Sequence, residues 1–204
     1  MTREQFVRFV SSPDRLERHL RAAAAITHVL APRQLRPVVV GGSAVEFYTR
    51  GAYLTADLAL VLPGLQEAGE AMEQLGFERH GASFIHPDVP LVVDFPPSPL
   101  AGDPARLSVV EMEGLPVYVI GIEDLVADRL RAAAYWNDEG SKEWAVQLMA
   151  AYWDDLDRPY LQRLAASEPD PRYARVDQEA RRLAEHLHRA GEEPQTPGQE
   201  TRTT

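Results

Sequence analysis

The chain has 204 residues and a formal net charge of −10, with 45% hydrophobic and 25% charged residues, which suits one well-filled domain or a domain with a helical appendage. That acidic balance excludes general affinity for nucleic-acid backbone or an anionic membrane, because both need a basic face, and no stretch is long and apolar enough to span a bilayer. The lack of cysteine excludes a disulfide framework and a thiolate zinc site, and the charged opening MTREQFVRFV lacks the apolar stretch of a secretory signal, so the expected location is cytoplasmic.

In chain order, Ser12-Pro13 reads as a helix opening, with serine as the cap and proline in the first turn. The helix DRLERHLRAAAAITHVL follows and ends before Pro32; its Arg15, Arg18 and Arg21 read as a solvated face. Pro37 to Val40 is a short β-branched strand, broken by Gly41-Gly42-Ser43, after which AVEFYT reads as a short helix. Asp57 to Leu62 is the next strand, and the helix GLQEAGEAMEQLGF after it ends at Gly76. The period then changes to two, with a hairpin over Ala82–His86 and Leu91–Phe95, a stop at Pro96, Pro97 and Pro99, and a second hairpin over Leu107–Met112 and Leu115–Ile120. From Ile122 the pattern is helical, with Ser141 and Asp157 as expected N-caps and a last helix opening at Asp170-Pro171 whose stripe is Val176, Ala180, Leu183 and Leu187. The expected fold class is α/β (α+β), a mixed sheet with flanking helices followed by a helical C-terminal part. The expected domains are an α/β unit over 1–121 with N-terminal helices in 3–31, a helical region over 122–190, and a disordered tail over 191–204, which has no apolar anchor.

The chemistry concentrates between Val38 and Asp94. Two glycines after a strand let the backbone approach a ligand closely, the helix N-terminus behind them offers unpaired amides to an anion, and Ser43 adds a hydroxyl. Strand alternation places Asp57, Ala59 and Val61 on one face and Leu58, Leu60 and Leu62 on the core face. In the later strand LVVDF, Asp94 sits inside an apolar run, where a carboxylate needs a partner, a hydrogen bond or a metal. Two such aspartates on neighbouring strands could share a divalent ion.

The pattern GGSA, then TADLAL with Asp57, then VDF with Asp94 resembles the nucleotidyltransferase superfamily of DNA polymerase beta-like fold. It is most similar to the small prokaryotic nucleotidyltransferase-like proteins, some of them in toxin–antitoxin or abortive-infection systems. The resemblance covers about residues 36 to 155, including EDLVADRL, where relatives often carry a lysine near the place of Arg129. It implies a nucleotidyltransferase-like fold, phosphate contacts from Gly41, Gly42 and Ser43, and metal-binding, catalytic roles for Asp57 and Asp94 with Mg2+. The family pattern is Asp-x-Asp, and position 59 is alanine. Magnesium demands near-octahedral oxygen geometry, so Asp57 and Asp94 could hold one ion but hardly two. The expectation is a degenerate nucleotidyltransferase-fold protein that binds an NTP or a protein partner. The alternative is an active Mg2+-dependent enzyme that moves NMP from NTP to a small molecule, RNA or protein.

Other readings stand beside these. Asp57 can simply open a strand alongside Thr55, Asp94 can pair with Arg106 or Arg129, and Glu46 is a candidate substitute ligand. His86, Asp88 and Asp94 are close in sequence, but a Pro-Asp turn points Asp88 to solvent, and His186 and His188 do not share a helix face. Trp136, Trp144, Tyr152 and Trp153 read as core aromatics rather than a base-stacking platform.

Overall fold

A computed structural model describes residues 1–81 and 83–192. Of the expected tail over 191–204, Gly191 and Glu192 instead finish the last helix, Pro171–Glu192; residues 193–204, and Ala82 of the expected strand, lie outside the described residues. Helix α1 (Arg3–Phe9) opens on a capping box in which Thr2 and Gln5 satisfy each other's backbone amides. Helix α2 (Arg15–Leu30) is capped by Asp14, whose carboxylate accepts the Glu17 amide, not by Ser12 as expected. Ser12 instead bonds the Glu17 side chain and the Asp14 amide, bracing the same turn from outside. The arginines of α2 are not a solvated face either: Arg15 pairs with Glu46, Arg18 donates to the Ser12 carbonyl, and Arg21 bonds Glu17 and the Phe9 carbonyl.

Strand β1 (Val38–Val39) runs into α3 (Gly41–Tyr48), so both glycines lie within the helix rather than in a turn before it. Then come β2 (Leu58–Val61), α4 (Leu65–Leu75) ending on left-handed Gly76, and β3 (Glu78–His80), a fully exposed edge strand with no apolar residue to betray it. Strands β4 (Ser83–Ile85) and β5 (Val92–Asp94) form the first expected hairpin, and β6 (Ser108–Met112) with β7 (Leu115–Val119) the second. Helix α5 (Ile122–Trp136) begins two residues after β7 ends its pairing through Ile120. Helix α6 (Glu139–Ala151) is capped by Asp138, and the expected cap Ser141 donates its hydroxyl to that same Asp138. Asp157 does cap α7 (Arg158–Ser167), and α8 (Pro171–Glu192) completes the chain.

The seven strands form one mixed sheet in the order β3-β4-β5-β2-β1-β7-β6. Strand β1 pairs antiparallel with β2 and parallel with β7, and β2 pairs parallel with β5. Registers of Val39 with Leu60 and Val119, and of Leu58 with Val93, put these buried residues on one face, against which α2 packs. The opposite face carries Val38, Val40, Ala59, Val61 and Asp94. The proline-rich segment after β5 crosses it, lining cavities together with Val38, Val40 and Val61. Helices α5, α6 and α8 pack on one another. On α8 the buried stripe is Tyr173, Asp177, Ala180 and Ala184, while Leu183 and Leu187 stay exposed. The expected stripe is therefore rotated, with Ala180 the member common to both. No helix among the described residues is long and apolar enough to cross a membrane.

Candidate functional site

The site begins where β1 meets α3. Val40 is the N-cap residue, and it has no side chain able to cap. Gly41 follows with φ of +58°, in the left-handed region where glycine is the natural occupant. Gly42 answers a different need. A Cβ there would lie 3.1 Å from both the Thr55 hydroxyl and the Tyr53 ring, so the loop before β2 is laid directly against the helix start. Both glycines thus have a local structural reason, and both remain half-buried with the first-turn amides beside them.

Ser43 turns inward. Its hydroxyl donates to the Asp57 carbonyl at 3.0 Å and accepts the Ala59 amide at 2.9 Å. Next to this, the Val40 amide bonds the Ala59 carbonyl. Ser43 therefore continues the β1–β2 ladder by one rung after β1 has ended, and its hydroxyl proton is committed to backbone.

Asp57 precedes β2 by one residue, and its Oδ1 accepts the Thr55 hydroxyl at 2.9 Å. That places Asp57, through Thr55, beside Gly42. Asp94 ends β5 directly opposite Ala59 in the parallel register. Alternation puts Asp57, Ala59 and Asp94 on the same sheet face, and the glycine turn meets that face at Ala59. Asp94 Oδ1 is shut off from solvent and has no hydrogen-bond partner among the described residues. Ala59 is buried, and its methyl lies 3.9 Å from where a Cβ on Gly41 would stand. Position 59 therefore faces the turn. Among the described residues no three His, Asp or Glu side chains lie close enough to hold a metal ion. Two carboxylates and a methyl do not fit a pair of magnesium ions, which together need many oxygen ligands.

The alternative partners are occupied elsewhere. Arg106 pairs with Asp157 at 3.0 Å and lies 3.6 Å from Glu123, and Arg129 pairs with Asp128 at 2.6 Å. Glu46, the candidate substitute ligand, is corrected by the structure: it is buried on the α2 side of α3, with Arg15 Nε 2.9 Å and His19 Nδ1 3.1 Å from its oxygens. His86 is buried too, its Nδ1 accepting the Asp88 amide and its Nε2 lying against the Leu75 carbonyl, while Asp88 pairs with Arg3.

A cavity of about 200 Å³ adjoins the turn, lined by Val40, Gly41, the Pro96–Pro97–Pro99 segment, and Asp128 with Arg129 from α5. It is smaller than the range of about 300–1,000 Å³ usual for drug-sized ligands. The proline strap and Asp128 were missed in the sequence, where the prolines read only as a strand stop; no periodic signal marks a segment that folds back over a sheet. Glu46 did carry a signal, as a lone acid between Val45 and Phe47 on a short apolar helix.

No protein-family model matches the sequence, and no curated protein matches it. Among solved structures, the chain is similar to a solution structure of the antibiotic-resistance factor ANT(2'')-Ia, with 17% identity, 81% of this chain and 94% of that chain covered, and a TM-score of 0.47. It is also similar to a crystal structure of ANT(2'')-Ia in complex with adenylyl-2''-tobramycin, with 17% identity, 82% and 95% covered, and a TM-score of 0.45. At this level the likeness assigns no role to any residue of this chain.

Proposed function

We propose that this chain is a degenerate nucleotidyltransferase-type protein whose cleft binds the phosphate end of a nucleotide without two-metal transfer chemistry. The observation that carries the reading is Ala59, which stands in register opposite Asp94 and faces Gly41 where a third carboxylate would complete a metal site. Gly41 and the guanidinium of Arg129 line a cavity sized for a phosphate rather than a whole nucleotide, and with the first-turn amides behind Gly41 they are the groups that would meet the anion. The base and sugar would stay outside it. Such a protein acts by occupancy, in the cytoplasm, and a protein partner of the toxin–antitoxin kind fits the resemblance in the sequence.

The test is calorimetric titration with each NTP, with and without magnesium, on the wild type and on Asp57→Ala. Binding that ignores magnesium and survives Asp57→Ala supports the proposal; absence of any binding overturns it. Ala59→Asp, followed by a radiolabel-transfer assay, then asks whether only one ligand is missing: gained transfer is the expected outcome.

A second reading, magnesium-dependent transfer of NMP to a small molecule, RNA or protein, is favoured by one observation, the unpartnered Asp94 Oδ1. It requires nucleotide binding that depends on magnesium and is lost in Asp57→Ala.

A further inference from the structure

The sheet ends in two edge strands, and they are finished differently. At one end β3 consists of Glu78, Arg79 and His80, all three exposed, a run of polar and charged side chains that discourages another strand from joining. At the other end lies β6, which with β7 is the longest strand of the sheet at five residues. It carries no proline, lysine or arginine, its register with β7 runs unbroken by a bulge, and Val109 stands 56% exposed on it. Of the devices that usually blunt an edge strand, only the Glu111 charge is present.

The hairpin turn fixes which backbone groups of β6 face outward. Glu113 and Gly114 form a two-residue loop with φ of 51° and 79°, both positive as a type I′ turn requires. The flanking Met112 and Leu115 are then a pair that exchanges both hydrogen bonds. Alternation makes Val110–Val117 and Ser108–Val119 the other bonded pairs, and leaves Val109–Tyr118 and Glu111–Pro116 unbonded. Two residues of the neighbouring strand agree with this phase. Pro116 has no amide to give β6, and the Ile120 amide turns to the Val39 carbonyl of β1. The amides and carbonyls of Val109 and Glu111 therefore point away from the sheet, and no hydrogen bond reaches them among the described residues.

These outward groups are self-complementary. About a two-fold axis at Val110, antiparallel pairing sets Val109 of each copy opposite Glu111 of the other, and each such pair exchanges two hydrogen bonds. All four outward groups of each copy are then matched. Val110 meets its own counterpart across the axis as an unbonded pair, on the half-buried face against which α2 packs.

We propose that β6 pairs with β6 of a second copy of this chain, antiparallel and centred on Val110, so that one sheet runs through a two-fold dimer. Five paired residues bury less than a standard stable interface does, so the association is weak and reversible. The net charge of −10 on each copy opposes it until salt screens the repulsion. The proposal does not rest on nucleotide binding.

The test is sedimentation equilibrium of the full chain from about 10 µM to 1 mM in about 0.15 M salt. The expected result is a reversible monomer–dimer equilibrium within that range. Val109→Glu sets like charges opposite Glu111 twice per dimer and should weaken association about fivefold, whereas Val109→Lys sets opposite charges there and should tighten it by a similar factor. Val109→Pro removes an outward amide and leaves the β7 ladder whole, so it should be monomeric with an unchanged circular dichroism spectrum. Because the chain has no cysteine, Val110→Cys adds a single thiol per copy. Mild oxidation should join two copies, since unbonded antiparallel positions lie about 4.5 Å apart, within disulfide reach; Glu111→Cys, with no like residue opposite, should stay single. A chain monomeric throughout overturns the proposal and leaves the edge to an unlike strand. A dimer untouched by Val109→Pro, or Val109→Glu and Val109→Lys shifting the equilibrium the same way, overturns it too.

Discussion

At the scale of single residues, two carboxylates show how environment divides similar groups. Glu46 is buried, but both its oxygens are matched, by Arg15 and by His19. Removing it strands Arg15 and His19 between α2 and α3. About a third of Arg15 still reaches water, so Glu46→Ala should cost about 2–3 kcal/mol, less than the roughly 3–5 for breaking a fully buried pair, read from the urea midpoint. Asp94 is the opposite case: its Oδ1 is buried and unmatched. A group kept at a cost to stability is expected in a binding cleft, so Asp94→Asn should raise stability or leave it unchanged in the absence of ligand. A loss of about 1 kcal/mol or more in that variant would mean that Asp94 serves the fold and not the cleft.

At the scale of elements, the joints matter more than the elements they join. Ser43 fastens α3 to β2 by two bonds to backbone groups that β1 is too short to reach. Ser43→Ala leaves a buried amide and a carbonyl unpaired and should destabilise by about 1–3 kcal/mol, with the largest loss of hydrogen-exchange protection at Ala59. Gly121, between β7 and α5, has a backbone that any residue can adopt, yet a Cβ there would lie 2.6 Å from the Arg106 carbonyl oxygen. That carbonyl belongs to the strap's far end, where Arg106 is held by Asp157 and lies over the Tyr160 ring, and Tyr160 donates to buried Asp124. Backbone cannot yield as a side-chain tip can. Gly121→Ala should therefore cost about 1–3 kcal/mol in a denaturant titration and loosen the segment that roofs the small cavity.

At the scale of the whole molecule, buried imidazoles set a pH dependence. Burial holds His19 below the ordinary imidazole value, with Glu46 acting in the opposite sense. Burial lowers His86 as well, opposed by its bond to the Leu75 carbonyl. In both cases the unfolded chain takes up a proton at a higher pH than the folded one, so the unfolded state binds more protons as pH falls. Stability is full above the unfolded value near 6.5 and declines as pH drops from there toward the lowered folded values. Melting temperatures between about pH 7.5 and 5.5 should fall, and His19→Gln with His86→Gln should flatten that slope. An unchanged slope in the double variant would assign the effect to other groups.

The sequence by itself determined the local pattern: the bounds of α5, the two hairpins, the Asp157 cap, the core face of β2, and the placing of Gly41 just after β1 and Asp57 at the opening of β2. These follow from hydrophobic period, turn residues and strand alternation, all of which act over a few residues. Only the tertiary structure decided that Ser43 serves the backbone, that Asp138 and not Ser141 caps α6, that α8 buries its alanines, and that Glu46 answers to Arg15 across 31 positions. A polar group takes whichever partner the docked helices bring nearest, and a helix turns to whichever face packs closest. Neither choice is made until the elements meet.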